Sequence, residues 1–184
     1  QRILHMATHD ALTGLANRRL VMETITERLA RGRGEMNVLY IDVDRFKSVN
    51  DRYGHHVGDL LIREVAERIN ASTRAEDRVG RLAGDEFIVV FANRVELHQA
   101  DQIAERIRQR LNGPAVVGGR TVPLSVSIGI ATADGVATAD DVINAADVAM
   151  YQAKSGGRNQ VGRYDRHIQS QLRQQAELAE RLEI

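Results

Sequence analysis

Arg81-Leu82-Ala83-Gly84-Asp85-Glu86-Phe87-Ile88-Val89-Val90 sets two apolar, strand-length runs on either side of an acidic tip. Arg78 to Leu82 and Phe87 to Phe91 read as paired strands, with Gly84 expected to give the tight turn its backbone freedom. Upstream, Met36-Asn37-Val38-Leu39-Tyr40-Ile41 suits a buried strand; Asp42 falls at its carboxyl end, and a helix-like segment begins at Asp44. Both places put carboxylates where a buried strand ends. A fold that joins the two tips could hold divalent cations over a polyphosphate. The amides of Arg45, Phe46 and Lys47 in the turn after the first strand are suited to cradle phosphate oxygens. Taken singly, each site reads equally well as an ordinary acidic loop.

The first site continues as Asp42-x-Asp44-x-Phe46-Lys47-x-x-Asn50-Asp51-x-x-Gly54-His55-x-x-Gly58-Asp59. A calcium loop would need an oxygen ligand at its fifth position and glycine at its sixth, where this chain has Phe46 and Lys47. Beyond it, Val57 to Asn70 places Leu60, Leu61, Val65 and Ile69 on one helical face, and Val95 to Leu111 repeats that period through Ile103, Ile107 and Leu111. Asn112-Gly113-Pro114 stops the second helix. Ala115 to Val117, Gly118-Gly119 and Val122 to Ala131 read as a second hairpin, and Ala139 to Ser155 as a further helix. The expected fold class is α+β, with helices packed on a central, mainly antiparallel mixed sheet.

The chain has 184 residues and no cysteine, with 25 Lys+Arg against 25 Asp+Glu. That length suits one domain with a sizeable core. Thiolate metal sites and disulfides are excluded, and a neutral balance disfavours nucleic acid as a partner. No apolar run approaches membrane-spanning length, so a cytoplasmic domain without membrane contact of its own is expected.

With these motifs in view, the chain resembles the GGDEF-domain family of diguanylate cyclases. The resemblance begins at His9-Asp10-Ala11-Leu12-Thr13-Gly14-Leu15-Ala16-Asn17-Arg18-Arg19 and ends at Ala146-Asp147-x-Ala149-Met150-Tyr151-x-Ala153-Lys154-x-x-Gly157-Arg158-Asn159. It covers roughly residues 6–163. Residues 1–5 then read as the end of an upstream linker helix and 164–184 as a polar linker helix. The family commonly carries a sensory module upstream and sometimes a phosphodiesterase domain downstream.

The resemblance implies a sheet like that of nucleotide cyclase and polymerase palm domains. It also implies condensation of two GTP into cyclic di-GMP with release of two pyrophosphates. Mg²⁺, or Mn²⁺ in its place, would be held by Asp42, the Val43 carbonyl and Asp85, while Asp85 or Glu86 helps deprotonate the 3′-hydroxyl. Glu86 could instead pair with Lys47. Guanine offers N1–H and a 2-amino donor, so a carboxylate acceptor selects it, and Asp59 fits that need. The family pattern adds Asn50 on the base and His55 as a further contact, although Asn50 and Asp59 also suit helix capping. Phe46 and Lys47 contribute at the phosphates, where Lys154 and Arg158, four residues apart near a helix end, would reach the β- and γ-phosphates.

One set of half-motifs per chain implies a homodimer for the active species. Arg74-Ala75-Glu76-Asp77 stands at the spacing of the family's product-inhibition site, with cyclic di-GMP as product and inhibitor; Arg74 could grip guanine bidentately. Ala83 replaces the first glycine of the name-giving motif, which costs on the order of 1 kcal/mol only if the backbone there needs positive φ. Two rival functions remain open: a silent module sensing GTP or cyclic di-GMP, and a cyclase for another nucleotide.

Overall fold

The computed structural model describes residues 2–31, 36–92, 95–133, 138–164, 174 and 177–182. Its centre is β1 (Met36–Val43), whose eight residues are all buried. On one side β1 pairs antiparallel with β3 (Glu86–Val90), which pairs antiparallel with β2 (Arg78–Ala83). On the other side it pairs antiparallel with β6 (Val126–Ala133), and β6 pairs parallel with the short β7 (Val161–Arg163). The order β2-β3-β1-β6-β7 is therefore a mostly antiparallel sheet, and helices cover both of its faces.

The period-2 alternation along β1 decides which face each residue serves. Leu39, Ile41 and Val43 share one apolar cluster with Phe87, Val89, Ile128 and Ile130, closed by α4 (His55–Ser72) and α5 (Leu97–Arg110). Val38 and Tyr40 join Ile88, Val90 and Ala131 on the opposite face, beneath α2 (Arg18–Ala30) and α6 (Ala139–Ser155). Each fully buried Ile or Leu here stabilises the fold by roughly 1.5–3 kcal/mol. α6 lies hard against β6, since a Cβ on Gly129 would fall 2.2 Å from Ala146 O. That close approach fixes the height of Lys154 over the sheet.

Several boundaries differ from expectation. α3 (Phe46–Tyr53) begins two residues after Asp44, because the Asp44 carboxylate is already bound by Ser125 Oγ, Ser127 Oγ and Asn159 N at 2.7, 2.6 and 3.0 Å. The run Val122–Ala131 is not one strand. β5 (Arg120–Leu124) pairs only with β4 (Gly113–Val117) in a separate two-stranded sheet. Ser125 interrupts the run because its hydroxyl and carbonyl both bond Asp44, the latter accepting from Asp44 N at 2.9 Å. In α4 the half-buried Leu60 is joined by Ile62, 1% exposed, so the buried stripe is broader than expected. Gly84 is not among the glycines with positive φ, so the hairpin turn does not use the freedom anticipated for it.

At the amino end, α1 (Arg2–Thr8) leads into a segment laid along the free edge of β2. Ala16 N donates to Val79 O at 3.3 Å and Arg81 N donates to Ala16 O at 2.9 Å. Asn17 ties this segment back to α1, its N and Nδ2 donating to Thr8 O and Ala7 O. Arg81 completes the seam with an ion pair to Asp10 at 3.2 Å. The linker helix expected over 164–184 lies mostly outside the described residues. Among those described, no helix is long and apolar enough to cross a membrane.

Candidate active site

β1 ends beside the tip of the β2–β3 hairpin, and the two are joined by Val43 N donating to Asp85 O at 3.2 Å. Asp42 and Asp85, far apart in sequence, thereby become neighbours. Burial pushes the Asp42 carboxyl up to about 7, Lys154 opposing the rise and the Asp85 charge adding to it. Lys154 reaches down from the last turn of α6 to place Nζ 2.7 Å from Asp42 Oδ1. This contact is a charge-assisted ion pair, and Lys154 is thereby the cation that faces the buried Asp42 carboxylate. Two carboxylates, one of them buried with its charge disfavoured by that burial, together with the Val43 carbonyl offer an all-oxygen donor set that fits a hard cation such as Mg²⁺ or Mn²⁺. Among the described residues no group of three or more His, Cys, Asp or Glu side chains converges, so any such ion needs main-chain or ligand oxygens as well.

Glu86 takes a different partner from the one weighed in the sequence. Asp42 and Glu86 are cross-strand neighbours, and Tyr40, two residues before Asp42, donates its hydroxyl to Glu86 Oε2 at 2.8 Å. Glu86 is therefore bound by Tyr40 rather than Lys47, which is exposed on α3. Burial, then the hydrogen bond and charge of Glu86, raise the Tyr40 pKa, and burial with the Glu86 charge raises that of Asp147 on α6.

The base-binding candidates gather on α3 and α4. Asn50 Oδ1 is buried without a hydrogen-bond partner and lies against Gly58, where a Cβ would come within 1.8 Å of it and 3.3 Å of Phe46 Cζ. His55 and Asp59 are exposed one turn apart on α4. Neither Asn50 nor Asp59 is the N-cap of its helix, positions held by Arg45 and Gly54, so capping does not account for them. Arg45 has φ 56° and makes no side-chain cap bond, leaving the first turn of α3 at Phe46 and Lys47 without a side-chain cap.

Arg158 departs from the expected helix end. α6 stops at Ser155, and Arg158 is exposed in the following turn with φ 64°. Arg74 and Asp77 precede β2, at the end of the hairpin opposite the acidic tip. They line a pocket of about 320 Å³ with Gln102, Ile103 and Arg106. Asp77 also has a local task, because its two oxygens accept Arg74 N at 3.0 Å and Ala92 N at 3.1 Å. Asp44, Asn159 and Tyr40 are the participants the sequence reading passed over. Asp44 carried a signal in the Asp-x-Asp repeat, whereas the partners of all three lie on distant segments.

Comparison with known proteins finds likeness along most of the chain. Residues 7–160 match the profile described as diguanylate cyclase, GGDEF domain. The bifunctional diguanylate cyclase/cyclic di-GMP phosphodiesterase MucR of Pseudomonas aeruginosa is 40% identical over 182 residues, which are 97% of this chain and 26% of MucR. The chain thus spans about a quarter of that relative's length. Among solved structures, the GGDEF domain of TpbB (YfiN) from the same organism superposes with a TM-score of 0.85 at 36% identity, covering 90% of this chain and 99% of that one. The coiled coil and GGDEF domain of DgcB from Caulobacter crescentus, solved in complex with cyclic di-GMP, gives 0.83 at 29% identity, covering 88% of each. A match whose span includes the strand-end carboxylates, the acidic hairpin and the Lys154 segment leaves a single assignment: the chain belongs to the GGDEF domain family of diguanylate cyclases.

Proposed function

We propose that this chain condenses GTP into cyclic di-GMP, each of two chains holding one nucleotide across a twofold axis. The observation that carries this reading is the convergence of Asp42 and Asp85 beneath Lys154. In each of two equivalent steps a ribose 3′-oxygen forms a bond to the α-phosphorus of the facing GTP, the bond from that phosphorus to the bridging oxygen breaks, and pyrophosphate leaves. A divalent cation, Mg²⁺ or Mn²⁺, held by Asp42, Asp85 and the Val43 carbonyl would acidify the hydroxyl and screen the triphosphate.

The protein's own groups divide the remaining work. Asp85 or Glu86 accepts the 3′-hydroxyl proton, with Tyr40 holding Glu86 in place. Asp59 accepts from the guanine N1–H and 2-amino group, Asn50 contacts the same base, and His55 adds a contact at the start of α4. Lys154, Arg158 and the Phe46–Lys47 turn take the phosphates. Cyclic di-GMP returns to Arg74 and Asp77 as inhibitor. Ala83 is compatible with turnover, because the backbone there is not in the left-handed region and the methyl group carries no such strain. A sensory module before this domain and a phosphodiesterase domain after it complete the proposed whole protein, in line with the two activities in MucR's name.

The test is incubation with Mg²⁺ and GTP or ATP, followed by product chromatography. Cyclic di-GMP should form from GTP alone, disappear in Asp85→Ala, and show a specific activity that climbs with protein concentration. No product from folded protein at any concentration would refute catalysis and favour a silent sensor.

A further inference from the structure

Arg158 and Asn159 are consecutive non-glycine residues at positive φ, 64° and 47°. Asparagine tolerates this region better than most residues, but a bulky arginine there costs on the order of 1 kcal/mol. Such a pair persists only where surrounding groups over-determine it. Two backbone bonds supply part of that constraint: Arg158 N donates to Ala153 O at 3.0 Å, and Asn159 N donates to Asp44 Oδ2 at 3.0 Å.

The third constraint comes from outside the family motifs. Arg108, near the end of α5, donates from Nη1 to Asn159 Oδ1 at 2.8 Å. Arg108 is itself held, because its Nε lies 3.0 and 2.9 Å from the two oxygens of Glu105, and its side chain is only 18% exposed. A planar guanidinium fixed by a carboxylate one turn back is a rigid donor, and it meets the side chain adjoining Arg158.

We propose that Arg108 is a positioning residue for the phosphate end of the site, setting through Asn159 the backbone twist that aims Arg158. The assignment rests on the reading of Arg158 as a triphosphate contact. Without Arg108, Asn159 loses its side-chain anchor, its amide bond to Asp44 opens more readily, and Arg158 is freed to leave the left-handed region. Asn50 and Asp59 stand on α3 and α4, which take no part in this brace. The consequence is selective: triphosphate recognition weakens while guanine recognition does not.

The experiment compares wild type, Arg108→Gln and Arg108→Lys by calorimetry in Mg²⁺, with α,β-methylene GTP and with guanosine, alongside amide exchange of residues 156–160. Arg108→Gln should bind the triphosphate analogue about tenfold more weakly and guanosine within about twofold of wild type. The Asn159 amide should exchange faster in that variant, and Arg108→Lys, which keeps a donor for Asn159 Oδ1, should recover part of both losses. Unchanged analogue affinity, an equal loss for analogue and guanosine, or unchanged exchange at Asn159 would each overturn the proposal. A wild-type chain that binds neither ligand would refute the GTP reading instead, and the exchange result alone would then decide whether Arg108 holds the turn.

Discussion

Gly58→Ala separates stability from recognition in a way the structure makes quantitative. Gly58 lies inside α4 with an ordinary backbone, so alanine should strengthen the helix by about 1 kcal/mol. The new Cβ would fall 1.8 Å from Asn50 Oδ1, 3.0 Å from its Cγ and 3.3 Å from Phe46 Cζ. Asn50 must rotate away, and because Oδ1 has no hydrogen-bond partner, no bond is broken in doing so. An adjusted rotamer costs about 0.5–1.5 kcal/mol, which leaves net stability within about 1 kcal/mol of wild type and the melting temperature within about 4 °C. Recognition should suffer more. Losing one or two hydrogen bonds to the base, each worth about 1 kcal/mol, predicts roughly 5- to 30-fold weaker binding of α,β-methylene GTP. Asn50→Ala should cause a similar loss, and the double variant should be no worse than either single one. Wild-type affinity in Gly58→Ala, additive losses in the cycle, or a collapse in melting temperature would refute the reasoning.

Two further outcomes follow from the charges. Asp42 has a folded-state pKa of about 7 against an ordinary 3.8, so without divalent cation its contribution to stability is fully present below about pH 4 and is lost as pH rises to about 7. A cation held by that carboxylate should therefore raise the melting temperature more at about pH 8 than at about pH 5, and an equal rise at both would count against Asp42 as a ligand. Arg74→Ala and Asp77→Ala should both weaken cyclic di-GMP binding, but only Asp77→Ala should destabilise the fold, by about 1–3 kcal/mol, because it strips Arg74 N and Ala92 N of their acceptors. Denaturant titration of the two variants distinguishes them; equal stabilities would refute that structural role.

Local pattern made much of this architecture readable. The apolar run before Asp42, the acidic hairpin and the helix Ala139–Ser155 each announce themselves within a dozen or so residues, and the structure reproduces them. What stayed hidden depends on partners far along the chain. Asp44 resembles a helix-start residue until Ser125 and Ser127, 81 and 83 positions later, are seen bound to it, and the same bonds split β5 from β6. Periodicity can carry Lys154 to a helix end, but only the packing of α6 on β6 reveals that its ammonium rests on Asp42. Likewise, no spacing rule ties Arg108 to Asn159, 51 residues away.

The segment running along β2 has a mechanical consequence. The hairpin that carries Asp85 occupies the outer margin of the sheet, yet its exposed rim is stitched to Ala16 by two backbone bonds, and Asn17 fastens that stitch to the end of α1. A torque applied along α1 would thus have a short, stiff linkage to one acidic jaw of the pair, while the other, Asp42, stays embedded in the sheet's most protected strand. The gap between the two carboxylates is the dimension on which such a pull would act.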